Sequence, residues 1–233
     1  MTEPSSTRTR APRRDAAENR EALILAAATL LNRDPNASLE AIAAEAGLSR
    51  RAIYGHFATR DALLREIAVH GAARINAAML SAETETEPRD PALELAAVGA
   101  RIWHEVDHIR VMALLTVRGP QVQLVGDALK PLRDHVHDIV ARGVEAGAFR
   151  ADIAVDRLSR LVESAAISVL DEAARHGLTS AEGRRLVVLS VLSIAGFSAR
   201  EAGAILLALD LPGLDDATFT DVPTDPSTPE ATR

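Results

Sequence analysis

The chain has 233 residues with a formal net charge of −7 at pH 7, and 47% of its residues are hydrophobic. This length and composition allow a sizeable core in one large or two small domains. The absence of cysteine excludes disulfides and thiolate metal sites. The polar, arginine-rich N-terminus does not look like a secretory signal, and the longest apolar run, 186–199, is too short and interrupted to span a bilayer. We therefore expect a soluble cytoplasmic protein.

Basic residues are concentrated towards the N-terminus. Residues 1–66 hold ten arginines against nine acidic residues, whereas the remainder holds 16 basic against 24 acidic residues. An acidic total is not that of a nonspecific nucleic-acid binder. It is compatible with a DNA reader whose positive charge lies on one small face and whose acidic body is repelled by the duplex. Because alanine and leucine dominate and strand-like alternation is hard to find, we expect an all-α fold.

Two segments precede the most informative stretch of the chain. Residues 1–15 lack apolar periodicity and are expected to form a disordered basic arm, which would follow a minor groove or phosphates, or simply remain solvated. A first helix is expected over 16–31. Its buried stripe consists of Leu23, Ala27, Leu30 and Leu31. The Asp-Pro-Asn sequence at 34–36 then breaks this helix.

Residues 38–63 have the pattern of two short helices joined by a glycine turn. Ser38 is placed to cap the first helix, whose apolar residues recur at helical spacing. Gly47 stands where a helix ends in a left-handed residue, and Ser49 is placed to cap a second helix over 50–57. Two short helices connected in this way are typical of a helix-turn-helix, whose second helix enters the major groove of DNA.

This stretch resembles the DNA-binding domain of TetR-family transcriptional regulators over roughly residues 17–66. The matching residues are Ile42-Ala43, Ala46-Gly47-Leu48-Ser49, Ile53-Tyr54, His56-Phe57 and Thr59-Arg60-Asp61-Ala62-Leu63. The resemblance implies a three-helix DNA-binding domain, here 16–66, followed by a helical ligand-binding and dimerisation domain, here 67–211. Residues 212–233 contain four prolines and are expected to be a disordered tail.

The candidate DNA contacts lie on and around the second short helix. Arg50 and Arg51 stand in its first turn, where a guanidinium reads guanine edges or binds phosphates. The resemblance implies phosphate contacts by several residues that follow them, and Gly55 departs from the family pattern, which more often has a larger side chain. The full predicted set is Ser38, Ser49, Arg50, Arg51, Ala52, Tyr54, His56, Thr59 and Arg60.

The body of the chain is expected to contain five or six helices. In the family a long helix, here 60–81, links the DNA-binding head to the body, and its tilt carries the signal. The further predicted helices are 92–108, 109–117, 122–142, 155–176 and 181–209, punctuated by Gly119-Pro120, Gly147 and Gly177.

The last two predicted helices are rich in small residues, which let helices approach closely in a four-helix dimer bundle. Burial of these residues within one subunit is the alternative. A dimer is favoured because reading a palindrome requires two heads held about 34 Å apart. The predicted dimer interface is Ser164, Ala165, Ser168, Leu192, Gly196 and Phe197.

A literal His-Glu-x-x-His pattern, which is the zinc-protease motif, occurs at 104–108. Two histidines four residues apart share a helix face and could chelate zinc. The motif lacks its usual third ligand, because residue 114 is leucine and no glutamate occurs between Glu105 and Glu145. Asp107 also places a charge in a normally uncharged position. A metallopeptidase or other helical enzyme is therefore disfavoured, and no cofactor or metal is predicted.

The same region suggests an effector pocket, since ligand pockets are mostly apolar with a few placed polar groups. Glu163 lies in an otherwise apolar helix, where it would answer a cationic or hydroxylated ligand. A histidine pair at the surface or in an interface is the alternative to a pocket role. The predicted pocket residues are Trp103, His104, His108, Met112, His137 and Glu163.

These patterns together predict a homodimeric, ligand-responsive transcriptional repressor rather than an enzyme. Its predicted partners are a palindromic operator in double-stranded DNA, a small-molecule effector and a second copy of the chain, with no membrane partner. A regulator that activates, or one that answers a protein partner, is an alternative that the sequence does not separate from a repressor.

Overall fold

The computed structural model describes residues 11–80, 90–119 and 122–209, and within these ranges the chain is helical without strands. This confirms the predicted all-α class. The helices are Ala11–Arg33 (α1), Leu39–Glu45 (α2), Arg50–His56 (α3), Arg60–Leu80 (α4), Pro91–Val106 (α5), Arg110–Arg118 (α6), Val122–Ala128 (α7), Lys130–Glu145 (α8), Val155–His176 (α9), Ser180–Ala195 (α10) and Ala199–Ala208 (α11), with a short 3-10 turn at Asp107–Ile109. No helix in these ranges is long and apolar enough to cross a membrane.

The helix-turn-helix forms through the local signals seen in the sequence. The Ser38 hydroxyl accepts a hydrogen bond from the Ala41 N–H at 3.1 Å, and this caps α2. Gly47 has φ +68°, a left-handed conformation that costs glycine little. The Ser49 hydroxyl accepts from the Ala52 N–H at 3.2 Å and caps α3. The predicted caps and turn are therefore confirmed.

Helices α1 to α4 share one hydrophobic cluster, which we call the head core. It contains Leu23, Ile24, Ala27, Leu31, Ala37, Leu39, Ile42, Ala43, Ile53, Phe57, Leu63, Ile67 and, from α6, Met112. The predicted stripe on α1 is buried there apart from Leu30, which like Leu48 is partly buried at its edge. Among the described residues after α4, Met112 is the one that belongs fully to this cluster, so α6 joins the body to the head.

A second cluster, the body core, lies between α5, α8, α9 and α10. Helix α5 begins at Pro91, with the Asp90 carboxylate accepting from the Ala92 N–H at 2.8 Å. Most of α5 is buried, because α10 covers one side of it and α8 another. Helix α9 matches its predicted bounds and ends at Gly177, whose φ of +66° continues the chain in the left-handed conformation.

Four predicted helix boundaries are wrong. The predicted helix 122–142 is two helices, because Pro131 cannot donate an N–H and favours a new helix start. The predicted helix 181–209 breaks after α10, where Gly196 has φ +115° and Ser198 caps α11. The predicted helix 92–108 ends at Val106. The first helix begins at Ala11 rather than at residue 16, so it includes part of the predicted arm.

The rest of the predicted arm, residues 1–10, and the predicted tail, 212–233, lie outside the described residues. The domain boundaries stay predictions.

Candidate DNA interface and effector cavity

Helix α3 is anchored by one face and open on the other. Ile53 is fully buried in the head core, whereas the Arg50 side chain is 74% exposed and Tyr54 is 43% exposed. Arg51 is also exposed, and it has no ion pair or hydrogen bond from its side chain to any of the described residues. Both arginines thus stand on the solvent side of a helix whose orientation is fixed from beneath.

Glu40 of α2 organises the exposed face of α3, a role that sequence reasoning missed. Its Oε1 atom accepts a hydrogen bond from the Tyr54 hydroxyl at 2.9 Å and lies 3.3 Å from Nη2 of Arg50. The Arg50 guanidinium also lies 5.6 Å from the centre of the Tyr54 ring. Hydrogen bonds from backbone N–H and from Tyr54 lower the pKa of Glu40, so it is an anion at neutral pH. Arg50 is therefore pre-oriented, while Arg51 is not.

The remaining predicted contacts play structural parts in the free head. Thr59 accepts from the Ala62 N–H at 3.1 Å and caps α4. Arg60 donates from Nη2 to the Pro35 carbonyl, and its Nε is buried without an acceptor among the described residues. A phosphate contact by Arg60 would therefore compete with its bond to the loop before α2. His56 and Ala52 are both half-buried beside the exposed face.

A cavity of about 460 Å³ lies between the head core and the body core. Its size is that of a site for a drug-sized ligand. Ile24, Ile67 and Met112 of the head core line it, and so do Val98 and Val162 of the body core. Five of the six predicted effector residues line this cavity, namely Trp103, His108, Met112, His137 and Glu163. His104 does not, because its exposed side chain lies on another face of α5.

Trp103 forms a rigid part of the cavity wall. Its ring is 2% exposed, and its indole N–H donates to the Ser180 carbonyl at 2.9 Å. The Arg110 guanidinium lies 5.2 Å from the ring centre. Gly183 of α10 leaves room for the ring, since a Cβ atom there would lie 1.8 Å from Cζ2 of the indole. The indole N–H is consequently already used, and only the apolar ring is offered to a ligand.

Charged side chains at the cavity wall form ion pairs between helices. Arg74 of α4 lies 2.9 Å from Glu105 of α5. Arg133 of α8 donates to Glu163 of α9 at 2.7 Å from Nη2 and at 2.9 Å from Nε. The predicted role of Glu163 in answering a cationic ligand therefore competes with an existing ion pair.

A family model matches the N-terminal part of the chain. Residues 23–67 match the family model described as "Bacterial regulatory proteins, tetR family". This range includes α2, α3 and the whole candidate DNA interface on them. Residues 23–67 therefore form a DNA-binding domain of the tetR type. Regulators of this family are DNA-binding transcription regulators and not enzymes, as the sequence predicted. None of the curated proteins compared with the chain matches its sequence.

Three solved structures resemble most of the chain. RolR in complex with resorcinol is 19% identical with TM-score 0.59, and the match covers 87% of this chain and 99% of that one. LfrR from Mycobacterium smegmatis, in complex with proflavine, is 21% identical with TM-score 0.59, covering 80% and 99%. The fatty acid degradation regulator FadR from Bacillus halodurans is 16% identical with TM-score 0.64, covering 76% and 95%. At these identities the likeness shows a common fold.

The His-Glu-x-x-His pattern at 104–108 is not arranged as a zinc site. The continuous helix that would align its histidines ends at Val106, before His108. Glu105 is paired with Arg74. Among the described residues no three His, Cys, Asp or Glu side chains are grouped so that they could hold a metal ion. Partial burial, and then the charge of Arg74, lower the pKa of His108.

Asn32 joins the head to the body, and sequence reasoning missed it. Its Oδ1 accepts a hydrogen bond from the Val111 N–H at 2.8 Å, and its Nδ2 donates to the His108 carbonyl at 3.2 Å. Helix α6 has no side-chain cap of its own. The side chain of Asn32, on α1, therefore caps α6, although Asn32 and Val111 are 79 residues apart in sequence. No local pattern indicates a contact at that separation.

Some of the predicted dimer residues are exposed, and others are used within their own subunit. Ser164 and Ser168 are exposed on α9, each donating at 2.8 Å to the carbonyl four residues earlier, and Ala165 between them is half-buried. Leu192 is fully buried in the body core, so the prediction that it faces a partner is wrong: α10 uses that side chain within its own subunit. Phe197 packs edge-on against Phe149 of the same subunit, with the two ring centres 5.9 Å apart.

Gly196, also predicted at the interface, ends α10 in the left-handed conformation.

Proposed function

We propose that the protein is a homodimeric repressor that binds a palindromic operator and leaves it when a small-molecule effector fills the cavity. The observation that carries the proposal is the exposed face of α3, with Arg50 and Arg51 in its first turn and Ile53 buried beneath. A helix presented in this way fits the major groove, where guanidinium groups pair with guanine edges. Such a regulator acts where the chromosome lies, in the cytoplasm.

The structure supports different parts for the two arginines. Glu40 and the Tyr54 ring hold Arg50, which favours a fixed contact with one base or phosphate. Arg51 is without a side-chain partner among the described residues and can adapt to the duplex. The hydroxyls of Ser49 and Thr59 accept from their own helices, so their protons remain free to be donated to phosphates. The Ser38 hydroxyl also donates to the Glu40 carboxylate.

The cavity supports control by a ligand, because residues of both cores line it. A ligand that fits one arrangement of head and body better than another shifts the population towards that arrangement. Taking an operator from mostly bound to mostly free requires a difference of about 5.5 kcal/mol between the two states. The neighbours RolR and LfrR, solved with resorcinol and proflavine, support a small organic effector of this kind here.

The outer surface of α9 and α10 supports dimerisation. Leu161 and Leu186 are exposed large apolar residues there, at 39% and 38%, and Ser164 and Ser168 lie beside Leu161 on α9. A two-fold axis through this surface would bury the leucines and hold two heads one DNA turn apart. We expect Leu186→Arg to yield monomers in light scattering, whereas Leu124→Arg, on the exposed side of α7, leaves the dimer intact.

Selection of bound sequences from a random duplex library tests the central claim. We expect a palindrome, and we expect Arg50→Ala or Arg51→Ala to weaken binding to it by about 1–3 kcal/mol. If an arginine reads a base, the preference at one position relaxes; if it binds phosphate, affinity falls equally for all sequences. Lys130→Ala is the control, because this exposed cation on α8 lies outside both the head and the proposed dimer surface. Absence of any preferred sequence would contradict the proposal.

An operator that overlaps a promoter distinguishes repression from activation. In a reporter strain we expect expression to rise when the gene for this protein is removed. A fall in expression would identify an activator instead.

A further inference from the structure

Among the described residues, each charged side chain that lines the cavity is ion-paired or hydrogen-bonded to another side chain, with one exception. The pairs between cavity-lining residues are Arg74–Glu105 at 2.9 Å, Arg133–Glu163 at 2.7 Å and His137–Asp156 at 3.0 Å. Asp134, which also lines the cavity, pairs with Lys130 one turn earlier on α8. The exception is Arg160 of α9.

Arg160 has acidic neighbours on its own helix, but both are engaged elsewhere. Asp156 lies one turn before it and bridges to His137, and Glu163 lies almost one turn after it and bridges to Arg133. Within the described ranges no acidic side chain comes within ion-pair distance of Arg160, which is exposed at the rim of the cavity. The cavity wall therefore carries one cation that the protein does not pair.

The hydroxyl and indole groups that line the cavity are already engaged within the protein. The hydroxyls of Thr29, Thr116 and Ser159 each donate to a backbone carbonyl of their own helix, at 3.1, 2.7 and 2.9 Å. The Trp103 indole N–H is bonded to Ser180. Aliphatic side chains make up most of the remaining wall. A ligand group that accepts hydrogen bonds would stay unsatisfied there, which is costly.

We propose that the effector is an amphipathic acid, with an apolar body inside the cavity and one anionic group against Arg160 at the rim. The inference rests on the proposed function, since it assigns the chemical class of the effector. It also predicts a dependence on chain length: each further methylene group buried should tighten binding by about fourfold until the cavity is full.

Three probes of equal length and different charge test this class, namely octanoate, 1-octanol and octylammonium. Binding to the full-length protein is followed through the fluorescence of Trp103, the single tryptophan of the chain, and through thermal stabilisation. Because a pair at an exposed rim is screened by water, we expect octanoate to bind about two- to fivefold more tightly than 1-octanol. Octylammonium should bind most weakly.

Two variants assign the preference to a residue. Arg160→Gln should remove the advantage of octanoate over 1-octanol, and the ratio of the two affinities cancels any general change in the cavity. Arg157→Gln removes an exposed arginine one turn away that does not line the cavity, and it should preserve the advantage.

Three results would overturn the assignment: an unchanged ratio in Arg160→Gln, tighter binding of octylammonium than of octanoate, or no binding of any of the three probes. Operator binding by the same preparation is measured alongside. If it persists while the assignment fails, the DNA-binding function stands and only the chemical class of the effector is wrong.

Discussion

Removing the Asn32 side chain should destabilise the protein at the joint between head and body. Asn32→Ala deletes two hydrogen bonds, one at 2.8 Å from the Val111 N–H and one at 3.2 Å to the His108 carbonyl. A hydrogen bond contributes about 0.5–1.5 kcal/mol net, and the first also caps α6. We therefore expect a loss of about 2 kcal/mol, which for a chain of this size lowers the melting temperature by roughly 4–8 °C.

Thermal unfolding followed by circular dichroism measures this loss. Asn32→Asp keeps the acceptor for the Val111 N–H and loses the donor to the His108 carbonyl, so we expect a smaller loss than for alanine. Asn36→Ala, in the exposed loop after α1, should change stability by less than about 0.5 kcal/mol. Equal losses in the two Asn32 variants, or a loss in Asn32→Ala no larger than in Asn36→Ala, would refute the capping role.

Three further variants test packing, backbone and charge. Gly183→Ala should lower the free energy of unfolding by about 1–3 kcal/mol in chemical denaturation and shift the fluorescence emission of Trp103, because the added Cβ would lie 1.8 Å from the indole ring. Gly99→Ala is the control and should be tolerated, because its Cβ would lie 3.6 Å from Val191. Gly55→Ala should stabilise the protein by about 0.5–1 kcal/mol, since it lies inside α3 with nothing within 4 Å. The lowered pKa of His108 in the folded state means that the unfolded chain takes up the proton first, so stability should fall as the pH drops below about 6.5. His108→Asn should flatten this fall between pH 7 and 5.5 in urea titrations; an equally steep fall in the variant would contradict the assignment.

The helix-turn-helix could be predicted because each of its signals is local. A cap requires only a serine and the N–H three residues on, and a left-handed turn requires only a glycine at the right place, as at Ser38, Gly47 and Ser49. Apolar spacing then identified Ile53 as the buried anchor of α3. Where such signals follow one another within thirty residues, sequence alone fixes both the elements and their packing.

Two of the missed helix boundaries carried signals of the same kind. Ser198 and Glu201 form a capping box at the start of α11, directly after the left-handed Gly196, and Pro131 stands at the start of α8. Both lay within long apolar patterns, and helical periodicity on each side concealed the break. When helix caps, glycines and prolines conflict with a continuous apolar stripe, the caps and breakers should therefore decide where a helix ends.

The tertiary details of the candidate site had no such signal. Glu40 and Tyr54 are 14 residues apart, Asn32 and Val111 are 79 apart, and each pair meets only after the helices pack. Glu163 is predicted from the sequence to answer a cationic or hydroxylated ligand, and its partner Arg133 could not be foreseen because it lies on another helix. Sequence indicates which residue types can carry a function, and the packing of distant helices decides which are already engaged.

The location of Met112 connects these contacts with the proposed regulation. Its side chain is buried in the head core and lines the cavity, while the helix that carries it is capped from α1 by Asn32. At the other end of α6, Arg118 lies 3.5 Å from Asp171 of α9, so the same short helix is held by the body. A tightly packed core cannot absorb a ligand by gradual deformation. A ligand beside Met112 must therefore either fit the existing cavity or move α6 relative to α1 or to α9. A movement of α6 relative to α1 would change the position of the head, which carries Arg50 and Arg51.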